Sequence, residues 1–383
     1  TLTVNGPGIQ CSLNFVWIER NRITATEQPN RPPTGSGITL MNGFDQTGSD
    51  KSQVLANQVS DYPGAGILVN SPVRDLICKL NIIDRCGQGI VVQPTGPVGQ
   101  VSIENNHLND IGSARTEPDF GAVIAGISVR NAQAAHIAGN TLRRIGVEAA
   151  RGVALVAGVA HFAVRVGRVL GNDIEQVGPA GVLPGATLGG VVLTGPYSSN
   201  EVSQNRIARD AVSAGPDDSQ WFGVLIHEPG PARPIVHLAD FSAVQLSTAR
   251  MLVLDGTHAF AEDLATDFSD AAAPVPRRSS VAFRNNVLQS RGAAPAASVQ
   301  SGSDIQFADN RCEYIGRGDA VTLSSASAVV SANVVRGGAR SLVISASAER
   351  ATVMGNATTQ DVLVGQSTPL ASTPWAPFNV RID

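Results

Sequence analysis

The residues of this chain that could carry out chemistry lie close together, between positions 217 and 228. Asp217 and Asp218 precede Trp221, and the pair His227 and Glu228 comes soon after. Enzymes that cleave glycosidic bonds usually use two carboxyl groups. One protonates the leaving oxygen, and the other activates water or attacks the sugar. A catalytic hypothesis therefore uses Asp217, Asp218, His227 and Glu228, and a binding hypothesis adds Trp221 to these four as contacts to a glycan.

A simpler interpretation is a solvated acidic loop that Trp221 anchors against the rest of the molecule. Adjacent sequence positions do not fix the separation of the two carboxyl groups, on which the mechanism depends. We therefore prefer a site that binds without catalysis. The cysteines and histidines have no metal-ligand spacing and no phosphate-binding loop is present, so no metal and no cofactor is predicted.

Whatever these residues do, a regular repeat must position them. An Asn recurs at intervals of 23 to 36 residues with one gap of 81, and each is preceded at three positions by an apolar residue. An apolar residue also follows two positions after each Asn, except at Thr358. The asparagines are Asn21, Asn57, Asn81, Asn106, Asn140, Asn172, Asn205, Asn286, Asn310, Asn333 and Asn356.

This pattern predicts a coil of short strands. The two apolar columns alternate about a corner, as side chains do when every second residue of a strand points inward. Asn suits the corner because it tolerates a left-handed backbone and its amide can bond to the same amide in neighbouring coils. Repeats of this length without helical periodicity are rungs that stack on one another.

A second strand in each coil has the pattern Gly-apolar-x-apolar. The later coils keep it without the glycine, at residues 320–323 and 341–344. The glycine-led examples begin at Gly37, Gly66, Gly89, Gly126, Gly152, Gly190 and Gly223.

Runs such as Val101–Leu108 and Ala135–Leu142 resemble those of the right-handed parallel β-helix, or pectin-lyase-like, superfamily. The resemblance covers essentially the whole chain and implies an all-β, single-stranded parallel β-helix. The superfamily includes lyases, hydrolases, epimerases, phage tailspikes and adhesins, so the fold does not decide the function. Polygalacturonase-like members carry further blocks beside an Asp-Asp pair, and these are absent here. Residues 16–20 faintly resemble a lyase block, yet they also fit an ordinary strand of the repeat.

Insertions and the C-terminus define the expected domain layout. Residues 24–36, 113–125, 179–189 and 208–222 all interrupt between the Asn corner and the glycine-led strand, so the insertions should emerge along one edge. A larger excursion at about 227–280 is predicted to hold extra strands or a coil that has lost its Asn. We predict a β-helix over residues 1–367 and a capping segment over 368–383, in which Trp375 and Phe378 cover the last rung.

The repeat also predicts the positions of three cysteines and three histidines. Cys78, Cys86 and Cys312 fall in core columns, Cys86 at the position that Ile111, Ile145, Val177 and Ile315 occupy in other coils, and are predicted to be buried free thiols. Cys11 lies outside the register and is not assigned. The surface is the predicted location of His107, His136 and His161.

The middle residue of the glycine-led strand should face solvent, yet it is often aliphatic. Leu68, Val91, Val192, Leu225 and Val343 occupy this column, with Thr39, Ser128, Ala154 and Thr322 between them. Such a stripe calls for covering by loops of the chain or by another subunit. It suggests a homo-oligomer, a trimer by comparison with tailspike-like members of the superfamily.

The charge and the apolar content of the sequence argue against two classes of partner. The formal charge of −4 comes without a basic stripe, and no apolar segment of membrane-spanning length occurs, so neither nucleic acid nor a membrane span is predicted. Residues 1–4 resemble a strand already, which suggests a preceding module or a processed segment. We expect a non-catalytic structural or binding module of a larger bacterial surface, secreted or phage-tail-like assembly, with extracellular, cell-surface or particle-associated location. The alternative is a polysaccharide lyase or hydrolase that acts at the insertion edge.

Overall fold

The computed structural model describes most of the chain. The described residues are 1–12, 15–28, 32–41, 49–94, 98–112, 123–149, 153–179, 181, 183, 185–209, 221–227, 279–365 and 367–383.

Short strands stack into three long sheets, which we name A, B and C. Within the described residues the sheets have thirteen, thirteen and eleven strands. Every pairing is parallel except that of β35 with β36. Sheet A contains β1 (Leu2–Val4), β4 (Arg22–Ala25), β7 (Gln58–Ser60), β10 (Ile82–Asp84), β13 (His107–Ile111), β16 (Thr141–Ile145), β19 (Asp173–Val177), β22 (Arg206–Ala208), β25 (Val287–Arg291), β28 (Arg311–Ile315), β31 (Val334–Gly337), β34 (Ala357–Thr358) and β37 (Val380–Arg381). Sheet B contains β2 (Ile9–Cys11), β5 (Ile38–Leu40), β8 (Ala65–Val69), β11 (Gln88–Val92), β14 (Val123–Arg130), β17 (Leu155–Phe162), β20 (Thr187–Thr194), β23 (Trp221–His227), β26 (Ala297–Gln300), β29 (Val321–Ser324), β32 (Leu342–Ile344), β35 (Val362–Val364) and β36 (Thr368–Pro369). Sheet C contains β3 (Phe15–Glu19), β6 (Ser49–Leu55), β9 (Val73–Lys79), β12 (Val98–Glu104), β15 (Ala132–Ala138), β18 (Val166–Leu170), β21 (Ser199–Ser203), β24 (Ser280–Arg284), β27 (Asp304–Ala308), β30 (Ser327–Ser331) and β33 (Ala351–Met354).

Each rung of the coil visits the three sheets in turn. The chain passes from sheet C to sheet A through the Asn corner, then to sheet B, and back to sheet C. The predicted core columns on both sides of the corner are buried, from Ile18 and Ile23 in the first rungs to Val353 in the last. Phe283 and Phe307 stack in one of these columns, with ring centroids 5.1 Å apart. The repeat therefore predicted the parallel β-helix architecture correctly.

The Asn column forms a continuous hydrogen-bonded ladder. Asn106 is typical: its Nδ2 donates to the carbonyl of Cys78 at 3.0 Å and to Oδ1 of Asn140 at 2.9 Å. Its backbone N–H donates to the same Oδ1 at 2.9 Å. The ladder extends one rung beyond the sequence prediction, because Asn356 donates to Asn379 at 2.9 Å. Asn is used here for its amide, which satisfies buried backbone groups of two rungs.

The sequence suggested that the ladder Asn adopts the left-handed backbone of the corner. In the structure the residue before the Asn adopts it, with φ of 57° at Arg20, 60° at Leu80 and 55° at Asn105. Side chains at this position point away from the core, and Leu80 is 61% exposed. The preceding residue therefore takes the backbone strain of the corner, and the Asn supplies the hydrogen bonds.

Glycine leads the strands of sheet B because the backbone of the next rung lies very close. A Cβ added to Gly89 would lie 2.0 Å from the carbonyl oxygen of Gly126, and one added to Gly126 would lie 2.8 Å from that of Gly158. The same contact recurs at Gly158 and Gly190. These glycines allow the rungs to approach where the chain turns into sheet B.

The register of β17 corrects one sequence assignment. Ala160, not Ala154, pairs with Ser128, so the glycine-led strand of this rung begins at Gly158 rather than Gly152. As a consequence His161 faces the core, between Val129 and Leu193, and is 1% exposed. The prediction that His161 lies on the surface is therefore wrong. His107 is exposed, as predicted, and His136 is half-buried on the outer face of sheet C.

Long connections leave the coil between sheets A and B, as predicted, and also between sheets B and C. The excursion at about 227–280 belongs to the second group, and its residues 228–278 lie outside the described part. The rungs on either side of it are direct neighbours in the stack, so no further rung lies between them. Asn205 and Asn286 are 81 residues apart in sequence, yet the Nδ2 of Asn205 donates directly to Oδ1 of Asn286 at 3.1 Å, and β22 pairs with β25.

Most of the aliphatic stripe on sheet B is buried within the single chain. Val91 and Val192 are 2% and 0% exposed, Leu68 and Leu225 are also buried, and Val343 is half-buried. Two apolar clusters form on this outer face, one around Phe162 and one around Leu68. Of the two kinds of covering that the sequence left open, by loops of the chain or by another subunit, this burial favours the first. Association of subunits therefore has no support from this stripe.

The cysteines follow the predicted register. Cys78, Cys86 and Cys312 are free and fully buried, and burial raises the pKa of each thiol to about 12. Cys11 is half-buried and pairs with Leu40, so it belongs to a core column.

Ile315 departs from the predicted core column and is 63% exposed. In the rungs of Cys86, Ile111 and Ile145, the preceding residue has a positive φ that turns the next side chain inward. At Tyr314 the strand stays extended, so Tyr314 points inward and Ile315 points outward.

At the C-terminal end, two short 3-10 helices (Leu370–Ser372 and Ala376–Phe378) precede β37. Trp375 packs against the core, as the capping prediction requires, whereas Phe378 is 58% exposed. Among the described residues, no helix has the length and apolar character needed to cross a membrane.

Candidate functional site

The structure separates the residues that the sequence placed in one cluster. Asp217, Asp218 and Glu228 lie outside the described residues. Trp221 and His227 are the two ends of β23, so about 20 Å of extended strand lies between them. Trp221 stands where the chain enters sheet B, and His227 stands where it leaves for sheet C.

Trp221 belongs to the core. It is fully buried, pairs with Leu188, and its ring lies 5.6 Å from the guanidinium carbon of Arg209. The Nη2 of Arg209 donates to the carbonyl of Pro179 at 2.7 Å. This placement does not fit the expected glycan contact of Trp221, because the indole has no face open to a ligand. It does fit the anchoring role of the simpler interpretation.

His227 lies on the outer face of sheet B, paired with Thr194. It is half-buried, and burial lowers the pKa of the imidazole to about 4. Its Nε2 is buried and has no hydrogen-bond partner in the described structure. At neutral pH the side chain is therefore an uncharged imidazole that can accept a proton or a hydrogen bond.

A row of side chains continues from His227 across the neighbouring rungs of sheet B. In register order these residues are Gln93, Arg130, Phe162, Thr194 and His227, with Asn131 beside Arg130; we call them the polar row. Arg130, Phe162 and Thr194 are no more than 4% exposed. The row therefore lies beneath the surface of the chain, at the edge where residues 228–278 depart.

Several polar atoms of the row lack partners within the described part of the chain. They are Oε1 of Gln93, Nε and Nη1 of Arg130, Oδ1 of Asn131 and Nε2 of His227. Buried polar groups are nearly always hydrogen-bonded, and an unpaired buried charge is especially costly. A group of such atoms on adjacent strands marks a place where a ligand could supply the missing partners.

Arg130 is the most informative member of the row. It is 4% exposed, and its guanidinium carbon lies 5.2 Å from the ring centroid of Phe162. Burial lowers the pKa of Arg130 to about 10, so the side chain still carries its charge at neutral pH. No carboxylate pairs with it among the described residues. The chemistry that fits this side chain is an anion that hydrogen-bonds the guanidinium.

Comparison with protein families agrees with the stacked rungs. Residues 3–142 match a family model described as the right handed beta helix region. Together with the three parallel sheets, this match settles the architecture. The chain has the fold of the right-handed parallel β-helix superfamily. No curated protein and no solved structure gives a significant match to it.

Elsewhere on this β-helix, carboxylates are held in ion pairs. Arg85 contacts Asp61 at 2.7 Å, and Arg206 contacts Asp173 at 2.9 Å and also pairs with Glu175. The pKa of Glu104 falls below its ordinary value because hydrogen bonds from Ser102 and Lys79 outweigh the opposing effect of burial. Ion pairs of this kind suit structural bridges between rungs.

The sequence could not find the polar row from any motif. Arg130 and Gln93 simply follow the last apolar residue of their strands, and Phe162 follows a histidine that was assigned to the wrong column. What they share is a position in the register of sheet B. The sequence pattern suggested that the glycine-led strand of this rung begins at Gly152, six residues before Gly158, where strand pairing places it. The faint lyase block at residues 16–20 is the ordinary strand β3, with Val16 and Ile18 inward and Trp17 outward. In the described part of the β-helix, no three His, Cys, Asp or Glu side chains are grouped as a metal site.

Proposed function

We propose that this β-helix is a non-catalytic binding module of a larger bacterial surface, secreted or phage-tail-like assembly, and that it holds an anionic glycan at the polar row. The observation that carries the proposal is the buried guanidinium of Arg130, which lacks an acid partner among the described residues. A carboxylate of an acidic sugar would pair with it.

Neighbouring atoms support a ligand with many hydroxyl groups. The amide oxygens of Gln93 and Asn131 accept hydrogen bonds, and the uncharged His227 can accept one more. Strand register in sheet B fixes Arg130 and His227, and Gln93 and Asn131 directly follow its strands β11 and β14. Such preorganisation favours binding, since little side-chain entropy is lost.

The binding test is titration with a panel of acidic oligosaccharides, containing uronates, sialic acid or sulfated sugars, and with neutral ones. We expect an acidic glycan to bind, and Arg130→Gln to weaken it by about a hundredfold, because a buried charged hydrogen bond is worth about 3 kcal/mol. Arg143→Gln, an exposed arginine of sheet A, is the matched control. Equal binding by Arg130→Gln and the native protein would refute the site.

The second candidate function is a polysaccharide lyase or hydrolase. The uncharged imidazole of His227, next to Glu228 and in the same row as Arg130, favours it, because a base beside an anion site could act on a bound sugar. The test is incubation of the panel with detection of new reducing ends and unsaturated products. Turnover that His227→Gln or Asp218→Asn abolishes would establish catalysis in place of simple binding.

Association into a homo-oligomer, such as a trimer, remains part of the proposed assembly role. Light scattering at micromolar concentration tests it. A clean monomer would remove it without affecting the binding site.

A further inference from the structure

We propose that the outer face of sheet C is a second saccharide site, which binds an extended, neutral, hydroxyl-rich chain along the axis of the β-helix. The site has two parts on one sheet face. An aromatic patch consists of Phe15 and Trp17, and a polar groove beside it is lined by Lys51, Asp75, Gln100, Ser102, His136 and Arg168.

The aromatic patch is unusually open. Phe15 and Trp17 alternate with buried residues on β3 and are 70% and 68% exposed. The indole Nε1 of Trp17 donates to Oε2 of Glu19 at 3.0 Å, which holds the ring over the strand. An aromatic ring that is fixed in place and exposed to water offers an apolar platform at low entropic cost.

The groove continues directly from this patch. Phe15 pairs with Lys51 and Trp17 pairs with Gln53 in the next rung, and the same columns lead on to Asp75 and Gln100. The groove has a volume of about 600 Å³. Ala134 helps to open it, since this small residue occupies the column of Lys51, Asp75 and Gln100.

The groove repeats its hydrogen-bonding groups at the spacing of the rungs. In the central column Ser102, His136 and Arg168 follow one another in register, about 4.8 Å apart. The Nδ1 of His136 is buried and lacks a hydrogen-bond partner in the described rungs. A chain molecule with hydroxyl groups along its length would meet a donor or acceptor at every rung.

Charge distinguishes this site from the polar row. Arg168 lies 3.8 Å from Glu201, and Lys79 lies 3.0 Å from Glu104 beside the groove. The groove lining carries charges of both signs, Lys51 and Arg168 with Asp75, so this face has little preference for an anion. A neutral saccharide fits better than an acidic one.

A second copy of the chain fits less well. Besides Phe15 and Trp17, the exposed large apolar side chains of this face are Val329 and Met354, which lie many rungs away. The groove itself mixes polar and charged side chains with apolar ones such as Ile77 and Val166. Stable dimers bury on the order of 1,600 Å² with a largely apolar centre, which these scattered side chains do not supply.

The test is titration with neutral hexasaccharides of glucose, galactose, mannose or xylose, followed by tryptophan fluorescence and calorimetry. We expect one of them to bind and Trp17→Ala to weaken it by roughly tenfold or more, the loss of one stacked ring. His136→Ala should weaken it as well. Phe378→Ala, which removes an exposed aromatic at the other end of the β-helix, is the control and should bind normally.

Two outcomes would overturn the inference. One is unchanged binding of neutral saccharides by Trp17→Ala, or no binding by the native protein. The other is a concentration-dependent dimer that Trp17→Ala dissociates, because the patch would then be an interface between copies. Arg130→Gln separates the two proposals, since it should weaken acidic glycans only and leave binding at sheet C intact.

Discussion

The role of a single residue in this β-helix depends on whether the strand register points its side chain into the core or out of it. His161 occupies a core position that is otherwise aliphatic, and neither ring nitrogen has a hydrogen-bond partner in the described structure. Asn200 is buried on the adjacent rung, and its Oδ1 approaches the same glycine, Gly167, as Nδ1 of His161. The core of this rung is therefore polar and sensitive to acid.

Because of His161, the free energy of unfolding should decrease as the pH falls. Burial lowers the pKa of His161 from 6.5 to about 3, so between these pH values the unfolded chain binds a proton on this side chain and the folded chain does not. The contribution is full above pH 6.5 and is lost as the pH falls toward 3. Between about pH 7 and pH 4.5 this amounts to about 2 to 3 kcal/mol. His227, with a pKa near 4, adds in the same direction.

Urea unfolding at the two pH values measures this loss. We expect His161→Leu to lose less stability on acidification than the native protein, and His107→Leu, an exposed control, to behave as the native protein does. The same pH dependence in His161→Leu would contradict the assignment.

The Asn ladder offers a second test at the residue scale. Asn140 accepts two hydrogen bonds from Asn106 and donates to Ile103 and to Asn172. Asn140→Ala should reduce the free energy of unfolding by on the order of 3 kcal/mol, because it leaves buried donors of Asn106 unpaired. Gln133→Ala, on the exposed side of the same rung, should change stability little. Equal losses of stability in the two variants would show that the hydrogen bonds of the ladder contribute no more to stability than an exposed side chain does.

At the scale of elements, the sequence predicted strands wherever inward columns are unambiguous. The columns around Asn are correct because eleven repeats share one spacing. The strands of sheet B were harder to predict. Residues 152–155 match the glycine-led pattern fully, whereas residues 158–161 match it except for the histidine at the last apolar position. Only strand pairing resolves the choice. The polar row and the outward turn of Ile315 were missed for the same reason: single positions do not reveal backbone register.

The glycine column can be tested by adding a methyl group. Gly89→Ala would place a Cβ 2.0 Å from the carbonyl oxygen of Gly126, so adjacent rungs must move apart. We expect a loss of stability of about 2 kcal/mol or more in thermal or urea unfolding. Ala320→Gly, the reverse change in a later rung, should cost about 1 kcal/mol or less. A neutral Gly89→Ala would show that this close approach is not required.

At the scale of the whole molecule, rungs and insertions are separable. The hydrogen bond between Asn205 and Asn286 and the pairing of β21 with β24 show that the coil continues across residues 228–278. Replacing these residues by a short linker should therefore leave the β-sheet circular dichroism spectrum intact. Loss of the folded spectrum would mean that the rungs depend on the insertion.

The C-terminal segment supplies the last part of the ladder. Asn379 bonds to Asn356, β37 pairs with β34, and Trp375 packs against the core. Deletion of residues 368–383 should expose this end and cause aggregation, measured by light scattering. A soluble truncated protein with unchanged stability would contradict the capping role.

The most direct test of the proposed function is a crystal structure of the protein with the acidic glycan that binds most tightly. The account predicts a carboxylate or sulfate of the glycan within hydrogen-bond distance of the Arg130 guanidinium. A glycan bound elsewhere, or an acidic side chain of the same chain paired with Arg130 in the complex, would contradict it.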